Sequence, residues 1–503
     1  MIDTLITGQI YTLDQIVEPV ESLGIRNGKI VYVGSLEKAE KLCKSDTKKI
    51  DFNNKVILPG FVDAHIHLTT LGLSFTRLDL TESKSISALL EKLRDYSKKN
   101  PSKILIGFGW DDSQLKERRF PVNEELDSAV NDRPVILIRV CGHAAVLNSR
   151  AIEYFSRILK HNILQIEELH GKISDIELET VLSVIKPKFK EYYNGLLKAQ
   201  EYILSKGIVA IGEFGDIHTY SVYEKLAHRL KVYVRHYFQI FSFNEFFTLY
   251  RFICKSPLVV NKKLYIGGIK IYMDGSIGAR TASLSEPYSD SQNEYGTVFY
   301  TTEQLKLIFR KCQRRGIQLV IHAIGDRAIY QTLNILKLMR TDNPFHHRIE
   351  HYELPDEKSL ALTQKKNIYV CMQPNFIGNW SGPGALYETR LGKTRVKENN
   401  PLRKILDRGI RLSFSSDNRP VSPLYGIHWA VNGYFTEQRI DVLSAIRCYT
   451  RNAAEALYFD HFLGTLSVNK SASFVVLSED PLKNREQLNK IKITATFIDG
   501  KKI

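Results

Sequence analysis

No CxxC pair occurs among the six cysteines, Cys43, Cys141, Cys254, Cys312, Cys371 and Cys448. That spacing excludes a zinc knuckle and a thiol redox pair. Cysteines this far apart read as free thiols in a reducing compartment, so a cytoplasmic location is expected. No apolar run approaches the ~20 residues that cross a bilayer, and Met1-Ile2-Asp3-Thr4 does not open a basic-then-apolar leader. No membrane attachment is therefore expected. No low-complexity segment interrupts the chain. Nor is there a long Lys/Arg block, although 70 Lys+Arg against 55 Asp+Glu give a net charge of +15. The basic residues are dispersed, as at Lys98-Lys99 and Lys501-Lys502, with acids among them. A solvated basic surface fits this pattern better than a nucleic-acid footprint, and no nucleic-acid partner is expected.

What is present is an ordinary globular mixture: 43% hydrophobic, 10% aromatic and 25% charged over 503 residues. That length predicts one large domain plus appended structure. Both ends are β-rich. Residues 1–55 contain Ser22–Val33, in which Asn27-Gly28 sits between two β-prone runs, a strong hairpin signal. Residues 456–503 contain Ser473–Leu477 and Ile493–Ile498, with a turn at Asp499-Gly500. The two ends are expected to pair into one small β-sandwich, with residues 56–455 inserted between them.

Inside that span strands alternate with helices. Ile86, Leu89, Leu90 and Leu93 keep helical spacing, as do Leu305, Ile308, Phe309 and Cys312, with Thr302 as N-cap and Gly316 as stop. Asn400-Pro401 opens another helix that Gly409 closes. Three segments share one plan: Lys206-Gly207-Ile208, Arg315-Gly316-Ile317 and Arg408-Gly409-Ile410. Each is a helix end, a glycine, a buried strand and then polar residues, the unit of a parallel α/β sheet. Eight strands are expected, around 61–67, 208–214, 232–240, 266–273, 317–323, 347–352, 368–373 and 410–417. Eight such units predict a closed TIM (β/α)8 barrel with its chemistry at the C-terminal strand ends. Residues 68–207 are too many for one crossover and must contain an insertion, helical with some strands.

The polar residues fall at those ends. His65 and His67 lie two apart on the first strand and so share a face. Lys270 lies on the fourth, His322 on the fifth, His351 on the sixth and Asp417 on the eighth. Imidazole and carboxylate suit a borderline divalent metal. A charged lysine in an apolar strand is costly. It is either salt-bridged, for instance to Asp274, or converted by carbon dioxide to an anionic carbamate able to bridge two cations.

These residues, with Asp63-Ala64-His65-Ile66-His67 at their head, resemble the ligand set of the amidohydrolase superfamily. More narrowly, the chain is similar to its amidohydrolase-3 branch, which includes N-substituted formamide deformylases. Trp110-Asp111-Asp112, Arg139–His143, Asp274–Ala282 and Ile321–Ala328 carry the resemblance further. Asn418-Arg419 after Asp417 departs from it, and residues 161–182 fit it poorly.

The resemblance implies a metal-dependent hydrolase acting on a C–N bond of a small-molecule substrate. His65, His67 and Asp417 would hold one cation, His322 and His351 another, with carbamylated Lys270 between them. Zinc is the first choice, and manganese or iron also suits the donors. Asp417 would serve as general base and then acid, and His143 would help polarise the substrate carbonyl. Trp110 and Arg280 read either as pocket walls or as a core indole and a surface guanidinium. Asp326 reads either as an orienting partner of His322 or as a helix cap. Two rivals remain: a one-metal deaminase on the same barrel, in which Lys270 has no task, and a basic non-enzymatic binding protein. A homo-oligomer is compatible with the sequence, which does not fix it.

Overall fold

A computed structural model describes residues 1–14, 18–112, 114–140, 144–159, 170–185, 187–339 and 342–503. It resolves into two compact units, Met1–His67 with Gln200–Ile503, and Leu68–Ala199.

The first unit contains the barrel. Its eight strands, in chain order, are Phe61–Ile66, Ile208–Gly215, Tyr233–Gln239, Leu264–Tyr272, Gln318–Ala323, Arg348–His351, Tyr369–Met372 and Leu412–Phe414. Each runs parallel to its sequence neighbour. The eighth strand meets the first just past its own end. There Asp417 N–H donates to the His65 carbonyl (3.0 Å), and the Asp63 carboxylate accepts from Ser416 N (3.0 Å) and Ser416 Oγ. This seam sets Asp417 beside His65.

The repeated glycine plan has a simple cause. The helices Phe189–Ser205, Thr302–Arg315 and Leu402–Asp407 each precede a barrel strand. Gly207, Gly316 and Gly409 turn the chain with φ of 77°, 65° and 66°, a region that costs glycine nothing. The cap of the second helix is Thr301 rather than Thr302. Thr301 Oγ1 accepts from Gln304 N, and the Gln304 side chain returns to Thr301 N, a reciprocal capping box.

The termini form one mixed seven-stranded sheet. Its strand order is Lys501–Lys502, Ile493–Ile498, Phe474–Leu477, Cys43–Pro59, Ile2–Ile10, Val20–Arg26 and Lys29–Gly34. The strand Cys43–Pro59 joins the halves, pairing parallel with Ile2–Ile10 and antiparallel with Phe474–Leu477. The first terminal segment thus runs to Pro59, not 55, because Val56–Pro59 pair with the C-terminal strand. Neighbouring strands lie about 4.8 Å apart, so the edges of a flat seven-stranded sheet would be too distant to touch. Yet Ile25 and Ile30 near one edge share a core with Phe474 and Phe497 near the other, and Ile30 N donates to the Lys470 carbonyl (2.9 Å). The sheet therefore folds over on itself as a sandwich. The Asn27-Gly28 turn has the expected left-handed pair, φ 51° and 75°.

Asp499 ties this sandwich to the barrel. It accepts from Tyr233 Oη, Lys263 Nζ and Ser471 Oγ, each at 2.7 Å. Burial alone raises its pKa, but Lys263 and the hydroxyls outweigh that and lower it. A depressed folded pKa contributes stability above the unfolded value of about 3.9, and that stability is lost as pH falls through the folded value. Asn tolerates the left-handed φ of 50° here, so Asp499→Asn isolates the charge. It is expected to cost about 1–2 kcal/mol at neutral pH. Urea titration should show that difference shrinking below about pH 4.

The second unit fills most of the expected insertion and is more than helices with stray strands. It has its own five-stranded sheet, in the order Lys172–Ser174, Ala144–Leu147, Val135–Arg139, Leu105–Trp110 and Leu78–Asp79. The helix Ile86–Lys99 buries Ile86, Leu89 and Leu93. Trp110 is fully buried in this unit's core, packs edge-on against Phe120 and donates Nε1–H to the Leu137 carbonyl (2.9 Å). That is the core indole of the two readings, not a pocket wall. His143 lies outside the described residues. Among the described residues, no helix is long and apolar enough to cross a membrane.

Candidate metal centre

Four imidazoles meet where strands one, five and six end. Ring centroids lie 5.3 Å apart for His65–His67, 5.1 Å for His65–His351 and 4.4 Å for His322–His351. Asp417 completes the group, with Oδ1 3.3 Å from His67 Nε2 and 3.7 Å from His65 Nε2. One donor atom from each of His65, His351 and Asp417 lies within 4.8 Å of the others. Two of these residues hold unusual backbone: His351 has φ 70° and Asp417 φ 47°. Left-handed non-glycine residues are strained, and such strain persists where the surroundings fix it, often at functional sites.

Each of three rings has one nitrogen anchored to an acceptor. His65 Nδ1–H donates to Glu350 Oε2 (2.6 Å), His351 Nδ1–H to Gln373 Oε1 (2.7 Å) and His322 Nε2–H to the Gly275 carbonyl (3.0 Å). The acceptor fixes the tautomer and leaves a lone pair on the other nitrogen. The acceptors are themselves held. Arg348 Nε donates to Glu350 Oε1 (2.5 Å), and its NH2 to the Ala64 carbonyl (3.0 Å). Gln373 Nε2 donates to Ser415 Oγ (2.9 Å).

The charges agree with this assignment. Burial, then the Lys270 charge, pushes His65 down to about 4 and His322 to about 3. Burial, then the neighbouring His322, holds His351 well below the usual histidine range. Neutral imidazoles are the ligand form. Burial raises Asp417, but His65 and His67 outweigh it and keep the carboxylate ionised. Burial likewise raises Glu350, and Arg348, His65 and Lys270 hold it well below the usual range.

Lys270 is the anomaly. It is fully buried, and its Nζ has no hydrogen-bond partner. The amine lies 4.7 Å from the Phe214 ring centroid and 5.2 Å from that of Tyr272. Burial pushes its pKa down to about 8. The salt bridge to Asp274 does not form. Asp274 instead accepts backbone N–H from Ser283 (2.9 Å), Ile324 (3.0 Å) and Gly325 (2.8 Å), and sits 3.5 Å from His322 Nε2. An unpartnered buried amine beside these imidazoles and a carboxylate fits a divalent-metal site.

The amidohydrolase family model matches residues 48–503, nearly the whole chain. The chain belongs to the amidohydrolase family. It is 29% identical to the putative amidohydrolase YtcJ of Bacillus subtilis, over 98% of this chain and 97% of that one. It is 23% identical to the N-substituted formamide deformylase of Arthrobacter pascens, over 99% and 97%. An uncharacterized metal-dependent hydrolase from Pyrococcus furiosus superposes with a TM-score of 0.80 at 29% identity, covering 95% of this chain and 99% of that one. These likenesses make the amidohydrolase a hydrolase of a kind that uses a divalent metal.

Other candidates fall elsewhere. Arg280 pairs with Asp290 (Nε 3.0 Å, NH2 2.9 Å) and with Glu294 (3.5 Å) in its own loop. Among the described residues, no hydrogen bond or ring contact joins it to the histidine cluster. Asp326 caps nothing on His322. It accepts from Ser285 N (2.9 Å) and Ser285 Oγ at the start of the helix Asp326–Leu336. Asp274, not Asp326, stands beside His322, and the N-cap of that helix is Gly325. Glu350, Arg348 and Gln373 were missed as functional residues. The signal was there for two of them: charged Arg348 and Glu350 alternate with Ile349 and His351 on a strand whose four residues are all buried. Buried charges require partners.

Proposed function

We propose that this amidohydrolase cleaves the C–N bond of a small-molecule amide with a divalent-metal centre. The observation that carries the reading is the convergence of His65, His67, His322, His351 and Asp417 around the unpartnered amine of Lys270. His65, His67 and Asp417 would hold one cation and His322 and His351 a second. A carbamate on Lys270, formed from the neutral amine and carbon dioxide with loss of a proton, would supply an oxygen to each. Zinc suits this donor set best, and manganese or iron also suits it. Bound ions there lower the pKa of water and polarise a carbonyl oxygen.

The chain's own groups do the rest. Asp417, kept ionised by its histidines, takes the proton of the attacking water. It then returns that proton to the nitrogen as the C–N bond breaks, so that acid and amine leave. Glu350 and Gln373 hold the rings of His65 and His351 in one orientation throughout. His143 remains the candidate to assist at the carbonyl. The relative named N-substituted formamide deformylase makes N-formyl amines the first substrates to try. Purified protein reconstituted with zinc or manganese should hydrolyse members of an N-formyl and N-acyl amine panel and lose activity on chelation. Absence of turnover across the panel, with metal bound, would count against the amide reading.

One observation favours a second reading. His65, His351 and Asp417 alone could chelate a single ion, as a one-metal deaminase on this barrel would need. Metal analysis separates the two readings: about two ions per chain supports the bridged pair, and a single tight ion supports the rival.

A further inference from the structure

Beside the metal centre, the chain continues from Asp417 into Asn418-Arg419. The Arg419 guanidinium is partly exposed and stands over the Trp380 ring, its Cζ 5.9 Å from the centroid. Among the described residues it takes no hydrogen bond and no ion pair. Four other arginines of the barrel unit are ion-paired: Arg348 with Glu350, Arg280 and Arg390 with Asp290, and Arg411 with Glu455. Arg419 lies two residues after Asp417, over the Trp380 ring that packs on Tyr387.

An aromatic strip runs from the centre to this cation. The Phe376 ring lies nearly parallel to the His351 ring, 12° and 6.1 Å between centroids. Trp380 packs on Phe376 at 4.6 Å and on Tyr387 at 5.6 Å. Phe376 and Trp380 belong to one short helix, Asn375–Trp380, directly after the seventh strand. Walking outward from the metal ligands, the order is therefore imidazole, phenyl, indole, guanidinium. A guanidinium held over an indole face is partly pre-oriented and presents a fork that matches an oxyanion.

We propose that Arg419 binds a carboxylate on the substrate, so that the amide to be cleaved is joined by a flat apolar spacer, lying along Phe376 and Trp380, to an anionic end. This assignment rests on the hydrolase reading of the centre for the word substrate, but the anion site can be tested without turnover. The preference for a carboxylate over its neutral carboxamide should be about 10- to 100-fold, the usual worth of a charge-assisted bond.

The test is calorimetric binding of 4-acetamidophenylacetate and its carboxamide to the metal-loaded full chain, with hydrolysis followed separately. The wild type is expected to favour the carboxylate by the factor above. Arg419→Met should favour neither while retaining its metal, and Arg419→Lys should keep part of the preference. A carboxylate that merely ligates the metal would keep its advantage in Arg419→Met, and that result overturns the proposal. Equal or undetectable binding of both compounds by the wild type overturns it as well, as does loss of metal from Arg419→Met. Preference without hydrolysis leaves the anion site standing and counts instead against amide cleavage.

Discussion

Replacing Lys270 with methionine is expected to strip the centre of at least one metal ion and to lower kcat/KM by about 10³-fold or more, without unfolding the protein. Nζ is buried and makes no hydrogen bond, so methionine removes no polar contact and ends the cost of an unmatched polar group. Stability of the metal-free protein should change little, because relief of the buried amine is offset by loss of its charge beside Glu350 and Asp417. Were Lys270 a plain structural residue, the same substitution would leave metal content and turnover near their starting values. Metal analysis and denaturation of the same preparation distinguish these outcomes, and unchanged metal content would defeat the bridging role.

The second large effect belongs to Arg348. Its guanidinium is fully buried and donates to Glu350, to the Ala64 carbonyl and to the Ala456 carbonyl (3.1 Å). Arg348→Met leaves the Glu350 carboxylate charged in the barrel interior without its guanidinium. Breaking a buried pair from one side costs about 3–5 kcal/mol, read as a lower denaturant midpoint. Because Glu350 also holds His65 Nδ1–H at 2.6 Å, metal affinity should fall as well, by about 10- to 100-fold. Glu350→Gln keeps an acceptor for His65 while removing the charge. Paired with Arg348→Met, it should recover part of the stability. If the single and double variants are equally unstable, the ion pair is not what holds this strand.

The barrel could be read from the sequence because its signals are local. Gly207, Gly316 and Gly409 mark helix ends through a backbone conformation that other residues avoid, and buried runs follow at once. The candidate ligands could be read because His65, His67, His322, His351 and Asp417 all fall at or just past strand ends. What stayed hidden depends on distant pairing. Nothing near His65 names Glu350 as its partner, 285 positions away. The fate of Asp274 depends on N–H groups of Ser283, Ile324 and Gly325, which only the folded loops bring together. The motif left Trp110 open between pocket wall and core indole, and the cluster around Leu105, Leu126 and Leu137 encloses it. The terminal segment reaches Pro59 because Val56–Pro59 pair with Phe474–Leu477, a partner more than 400 positions away that nothing local announces.

The central claim is that six side chains drawn from four barrel strands and the seam after the eighth surround divalent metal. Anomalous diffraction at the metal edge, from crystals of the metal-loaded protein, tests it most directly. The account predicts peaks within bonding distance of His65, His67, His322, His351 and Asp417, with density extending from Lys270 Nζ to an added carboxylate. Peaks elsewhere, or full metal occupancy with these imidazoles bare, would contradict it.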